Sequence, residues 1–332
     1  MQSVVATRIG AYSEVLSLES VPAPELTAGT ALVRVLSAGL AFPDVLVVEG
    51  KHMMRRDPPF TPGSEICGTV VAIGEGVSRI AVGQRVFGPS LTGGLAELAL
   101  VDADECFVAP DTMDPHIAAG FELNYGTTWH GLVDLAHLAR GETLLVLGAS
   151  GGVGLSAIAI GVALGAKVIA CASSDARLAA CRAAGAHEAI SYAGGSPGKA
   201  LKAALSAASV YGDLDVVLDP VGGELSEVAL RATGWGGRFL VVGFASGGAT
   251  PKGAIPKLPI NLALLNERQV RHSFRRPGAP LSPQRPCHCV SRCDRTRRFL
   301  ASSGARGRRA RAAARPTEPT CRRCCRSSSR AG

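Results

Sequence analysis

Four glycines, Gly148, Gly151, Gly152 and Gly154, stand between an apolar run over 143–147 and a segment that opens with Leu155, Ser156 and Ala157. A strand, a glycine turn and a helix in this order bring backbone N–H groups up to a pyrophosphate. Glycine avoids a Cβ clash with the ligand, and the helix N-terminus adds partial positive charge. The spacing G-x-x-G-x-x-G is one residue longer than the commonest dinucleotide fingerprint, so it gains meaning from the βαβ context around it. Gly148, Ser150, Gly151, Gly152, Val153 and Gly154 are the candidate contacts. The competing reading is a glycine loop that serves close helix–strand packing alone.

The next strand ends at Ala172, where dinucleotide enzymes that prefer NADH place an acidic residue against the ribose hydroxyls. Here Ser173, Ser174 and Arg177 follow, hydroxyl and guanidinium groups suited to a 2′-phosphate that a carboxylate would repel. NADPH is therefore the expected cofactor. Tyr192, at the end of the third strand, is placed to lay its ring and hydroxyl beside the same phosphate. Ordinary roles compete with this one: Ser174 is a good N-cap for a helix beginning at Asp175, and Arg177 is equally at home as a solvated helix residue.

The elements that must position these groups fall into two textures. Residues 1–122 carry short β-rich runs such as TALVRVLSAG and GTVVAIG, punctuated by VPAPEL and DPPFTPG, which predicts a small, mostly antiparallel β-domain. Over 123–270, apolar strand runs at 143–147, 167–172, 188–192, 215–218 and 238–242 alternate with Ala- and Leu-rich helical segments. That alternation predicts an α/β domain with a doubly wound parallel sheet. After LLNERQV the periodicity stops, and 271–332 reads as a disordered tail.

Composition points the same way. The chain has 332 residues, 47% of them hydrophobic, enough for two domains with cores of their own. Its net charge of +8 suggests a nucleic-acid binder until it is placed along the chain: 17 arginines oppose only Asp294 and Glu318 after residue 270, so the part before is net negative by 7. The basicity belongs to the tail. Cys67, Cys106, Cys171 and Cys181 are scattered, as buried thiols usually are, and give no disulfide framework. The sequence has no long uninterrupted apolar run, and its start lacks the layout of a secretory signal, which leads to the expectation of a cytosolic protein with no membrane partner.

With the glycine turn, DPVGG at 219–223 and GGRFLVVGFASG at 236–247, the chain resembles the medium-chain dehydrogenase/reductases. The nearest resemblance is to their zinc-free quinone oxidoreductase branch, of the ζ-crystallin type. FPDVLVVEGK, PFTPGSEICGTVVAIGEGV and YGTTWHGLV extend the likeness from Val4 to about Val270. The resemblance implies a GroES-like β-domain followed by a Rossmann domain, NADPH as hydride donor and a small electrophilic acceptor, a quinone or an α,β-unsaturated carbonyl. It further implies Thr127, Gly243 and Phe244 near the nicotinamide, Asp44 shaping the cleft, and a homodimer. Zinc-dependent relatives carry a Cys near SAGLAFPD and a His within PGSE, where this chain has Ala and Leu, and Ser64, so no metal is expected. Two positions depart from the branch: Ala41 stands where Asn is common, and His52 where Tyr is common. His52 is either a replacement donor in the cleft or a solvated side chain.

The tail does not continue the family pattern, which suggests a shifted reading frame or an alternative terminal exon and would leave the sheet one strand short. Its arginines could bind RNA electrostatically, and CHCVSRC or CRRCC could offer thiolates to a metal, but few aromatics accompany them and the spacing matches no common zinc module. A binding protein without turnover, or an inactive product, is the alternative to an enzyme.

Overall fold

The computed structural model describes residues 1–52, 54–247, 261 and 269–272. The first β-domain opens with an antiparallel pair, β1 (Gln2–Ala6) and β2 (Leu16–Ser20), joined by the short helix α1 (Tyr12–Val15). A five-stranded antiparallel sheet follows in the order β6-β3-β4-β5-β7. Its strands are β3 (Thr30–Gly39), β4 (Glu65–Ile73), β5 (Arg85–Pro89), β6 (Leu98–Asp102) and β7 (Phe107–Val108). Alternate residues point inward, so that Ala31, Val33, Ile66, Val70, Val86, Ala99 and Val101 form one core. Helix α2 (Phe42–Val48) leaves the end of β3, and α3 (Pro115–Ala119) leads out of the domain.

A helical run then spans 122–135: a π-helical turn at Glu122–Gly126, the short α4 (Thr127–Trp129) and a second π-helical stretch at His130–Leu135. It leads into a six-stranded parallel sheet ordered β10-β9-β8-β11-β12-β13. The strands are β8 (Thr143–Val146), β9 (Lys167–Ala172), β10 (Glu188–Ser191), β11 (Leu214–Asp219), β12 (Thr233–Val241) and β13 (Gln269–His272). Helices α5 (Gly152–Ala163), α6 (Asp175–Ala183), α7 (Pro197–Ala207) and α8 (Glu224–Ala232) connect them.

Both faces of this sheet are buried, which is why its strands read as continuous apolar runs. Leu144, Val146, Val168, Val216 and Leu218 pack toward α5 and Leu132 of the helical run. Their neighbours Leu145, Leu147, Ile169, Val217 and Phe239 pack toward Leu201 and Leu205 of α7 and Leu225 and Leu230 of α8. The order reverses between β8 and β11, and a ligand crevice opens at such a switch point, beyond the carboxyl ends of the strands.

One expectation needs correction. The apolar pattern ends the sheet at β12 and begins a disordered tail at residue 271. Gln269–His272 instead forms a sixth strand parallel to β12, and Arg271 donates from Nη1 to the carbonyl of Leu135 at 2.6 Å. Four residues are too few to show a period, and pairing with β12 rather than side-chain pattern makes them a strand. The rest of the expected disordered tail, its arginines and its cysteines lies outside the described residues.

Candidate functional site

The glycine turn joins β8 to α5 at the switch point, and its four glycines have different jobs. Gly148 has φ +55°, a left-handed conformation that strains other residues, and a Cβ there would come within 2.6 Å of Val221 Cγ2. Gly154 faces the backbone of Ala149, which a Cβ would meet at 2.5 Å, so it sets the close approach of helix to turn. At Gly152 a Cβ would collide with Asn124 Oδ1. Gly151 differs, because a Cβ there would find only the Gly148 carbonyl, at 3.5 Å. Gly151 and Gly152 are exposed, Ser150 and Val153 half-buried. An open glycine at the mouth of a 12-residue helix leaves backbone N–H groups accessible to an anion, so the turn fits a pyrophosphate.

At the end of β9, Ala172 is buried and offers no carboxylate. Arg177 donates from Nη1 to Ser173 Oγ at 2.7 Å, which points its guanidinium back over the end of the strand. Ser174 caps α6 by accepting the Arg177 backbone N–H, so the capping role applies to it. Ser173, rather than Ser174, is the hydroxyl that joins Arg177. Tyr192 completes the group: burial chiefly, with Cys171 beside it, pushes its phenol up, while Arg177 and a hydrogen bond with Ser173 pull it down. The guanidinium, a serine hydroxyl and the phenol therefore converge, an arrangement able to hold an anion.

Across the switch point, Asp219 organises the other wall. It ends β11, is 1% exposed, and accepts the N–H groups of Val221 and Gly222, each at 2.8 Å, and the Ser226 hydroxyl. Burial still pushes its carboxyl up. Its carbonyl accepts from Val242 N at 2.9 Å, and Ala245 N and Ser246 N donate to the carbonyls of Pro220 and Val221 at 3.1 and 2.7 Å. The loops that hold DPVGG and Gly243-Phe244 are thus laced together. A Cβ on Gly243 would meet only the Pro220 carbonyl, at 3.5 Å, and Phe244 is partly exposed.

Thr127 lies half-buried on the helical run. Its neighbour Thr128 is fully buried and bonds Ser156 Oγ at 2.7 Å, while Ser156 Oγ donates to the Asn124 carbonyl at 3.1 Å. This polar knot fixes the run against α5, and no sequence signal singles it out. In the first domain, both Asp44 oxygens are engaged, Oδ2 by Ala41 N at 2.8 Å and Oδ1 by the Ser64 hydroxyl at 2.5 Å. His52 Nδ1 accepts the Met54 N–H at 3.2 Å. Among the described residues, no three His, Cys, Asp or Glu side chains gather as a metal site, and no helix is long and apolar enough to cross a membrane. An apolar hollow of about 360 Å³ lies between Tyr125 and Trp129 and the last turns of α5, at the helix end remote from the glycine turn.

The comparisons with known proteins agree with this layout. Residues 27–111 match the alcohol dehydrogenase GroES-like domain, and residues 152–283 match the zinc-binding dehydrogenase domain. The chain belongs to the medium-chain dehydrogenase/reductase superfamily. Within the superfamily it sides with the quinone oxidoreductases: it is 37% identical over 234 residues to quinone oxidoreductase-like protein 2 of Bos taurus, a match covering 70% of this chain and 64% of the bovine one. The chain thus spans less than two thirds of that relative's length. The quinone oxidoreductase of Thermus thermophilus, whose structure was also solved in complex with NADPH, superimposes with a TM-score of 0.69 at 29% identity, covering 83% of this chain and 81% of the other. A segment of polyketide synthase GfsB of Streptomyces halstedii is 40% identical over 218 residues, 66% of this chain and 4% of the synthase.

Proposed function

We propose that this medium-chain dehydrogenase/reductase is an NADPH-dependent, zinc-independent oxidoreductase that reduces a quinone or an α,β-unsaturated carbonyl. The observation that carries the reading is the convergence of Arg177, Ser173 and Tyr192 beyond a strand that ends in buried Ala172, in a domain whose glycine turn keeps Gly151 open. Gly148 to Gly154 would hold the pyrophosphate, the Arg177 group the 2′-phosphate, and Thr127, Gly243 and Phe244 the nicotinamide ring. When bound, the reduced nicotinamide supplies a hydride.

What the chain must add is position and a donor for the oxygen that gains charge. Because His52 Nδ1 accepts from Met54 N, a neutral His52 carries its proton on Nε2 and can donate to that oxygen. Asp44, with both oxygens engaged, shapes the loop that carries Ala41. Ser64 spends its hydroxyl on Asp44 at the place where the zinc-dependent relatives have histidine, which supports metal-free chemistry.

The test is NADPH oxidation by the purified chain with a benzoquinone and with a simple enone, each with and without a zinc chelator. Saturable turnover that the chelator leaves unchanged is expected. Loss of turnover on chelation would contradict zinc independence, and tight NADPH binding without turnover on any acceptor would favour a binding protein.

A further inference from the structure

Glu65, the first residue of β4, is a buried carboxylate that the hydride chemistry above does not use. It is 3% exposed and lies in register between Gly39 of β3 and Pro89 of β5. A side chain on Gly39 would come within 2.8 Å of Glu65 Cγ and collide with the Ala119 carbonyl, so glycine there makes the room that the carboxylate occupies. Glu65 Oε2 accepts the Leu123 N–H at 3.0 Å, and the Glu122 N–H also bonds this carboxylate. It therefore closes the first turn of the helical run over 122–135, where backbone donors have no partner within the helix.

The next residue of that run reaches the glycine turn. Asn124 Oδ1 packs where a Cβ on Gly152 would fall, and the Asn124 carbonyl takes the Ser156 hydroxyl. On the other side, Ser64 binds Asp44 of α2. Two neighbouring residues at the start of β4 thus grip the loop of the first domain and the helix of the second.

We propose that Glu65 is a positioning residue, the latch through which the first domain sets where the helical run meets the glycine turn, so that dinucleotide affinity follows its charge state. The charged groups that face it, Glu122 on the run and Asp44 on α2, are both acidic. Burial first, then Glu122 and Asp44, raise its carboxyl to about 7 against the pull of the Leu123 and Glu122 N–H groups. The carboxylate is a stronger acceptor for two N–H groups than the neutral acid, so within the folded chain its bonds to the run strengthen as pH rises through neutrality, even though burying the charge lowers the stability of the fold as a whole.

The proposal rests on the NADPH reading of the turn, and the test separates the two. NMR would follow the Leu123 amide of the cofactor-free chain, and fluorescence titration would give NADPH affinity, at about pH 6 and about pH 8, for the native chain, Glu65→Gln and Glu65→Asp. The native amide should titrate near neutrality and the Glu65→Gln amide should not. Glu65→Gln should match the native affinity at about pH 6 and fall roughly tenfold below it at about pH 8, since only the native chain gains the charge-assisted bonds. The 2′-phosphate titrates in every variant, with a pKa of about 6, and cancels in the comparison. Glu65→Asp should restore the pH dependence in part. An unchanged Leu123 profile or unchanged affinities in Glu65→Gln would overturn the latch. If Glu65→Gln does not fold, a native Leu123 amide indifferent to pH, or a Glu65→Asp chain with an unaltered midpoint, overturns it. If the native chain binds no NADPH at either pH, the cofactor reading fails while the amide titration still decides the latch.

Discussion

Arg177 and the glycines carry the sharpest consequences at the scale of single residues. Arg177 Nη1 is anchored on Ser173, so Arg177→Ala removes a placed charge and leaves the glycine turn untouched. The expected result is roughly tenfold or greater loss of NADPH affinity with NADH affinity unchanged, read by fluorescence titration. Gly151 and Gly154 should separate function from folding. Gly151 has φ −79° and nothing nearer than 3.5 Å in the way of a Cβ, so Gly151→Ala should keep its melting temperature and lose NADPH affinity. Gly154→Ala drives a methyl into the Ala149 backbone and should cost about 1–3 kcal/mol in thermal or denaturant unfolding.

Between elements, the polar knot of Thr128 and Ser156 holds the helical run on α5. Thr128→Val deletes one buried hydroxyl while Ser156 Oγ still reaches the carbonyls of Asn124 and Val153. The expected cost is about 1 kcal/mol, measured by denaturant unfolding, because no new buried group is orphaned. The turn, β9 and the converging Arg177 and Tyr192 are legible in the sequence because glycine spacing and apolar runs are local signals. The apolar run places β12 at 238–242, yet the strand begins at Thr233, since Gly234, Trp235, Gly236 and Gly237 break the apolar pattern. β13 escapes for want of length. Thr128, Ser156 and Asn124 are not legible because they meet only when two helices pack, a contact that leaves no period in the chain. Asp219 and Glu65 stand in the motifs DPVGG and PGSE, and Asp219 takes its backbone donors from within its own motif, yet the burial of both, the Ser226 partner of Asp219 and the Leu123 partner of Glu65 depend on other elements.

Over the whole molecule, the two domains share a pH-sensitive junction. Glu65 has a folded value of about 7 against 4.5 for the free group, so the native chain binds more protons than the unfolded one between those values. Stability is then fully present below about pH 4.5, falls as pH rises toward about pH 7 and levels off above, by up to about 3 kcal/mol. Asp219, also raised by burial, acts in the same sense. Glu65→Gln should lack the Glu65 share, so its melting temperature should gain on the native chain as pH rises through that window. The central claim is that the end of β9 and the glycine turn together select a phosphorylated dinucleotide. Parallel fluorescence titrations of the purified chain with NADPH and NADH test it most directly. Saturable binding with a clear preference for NADPH is the predicted result, and equal or weaker binding of NADPH than of NADH would contradict the account.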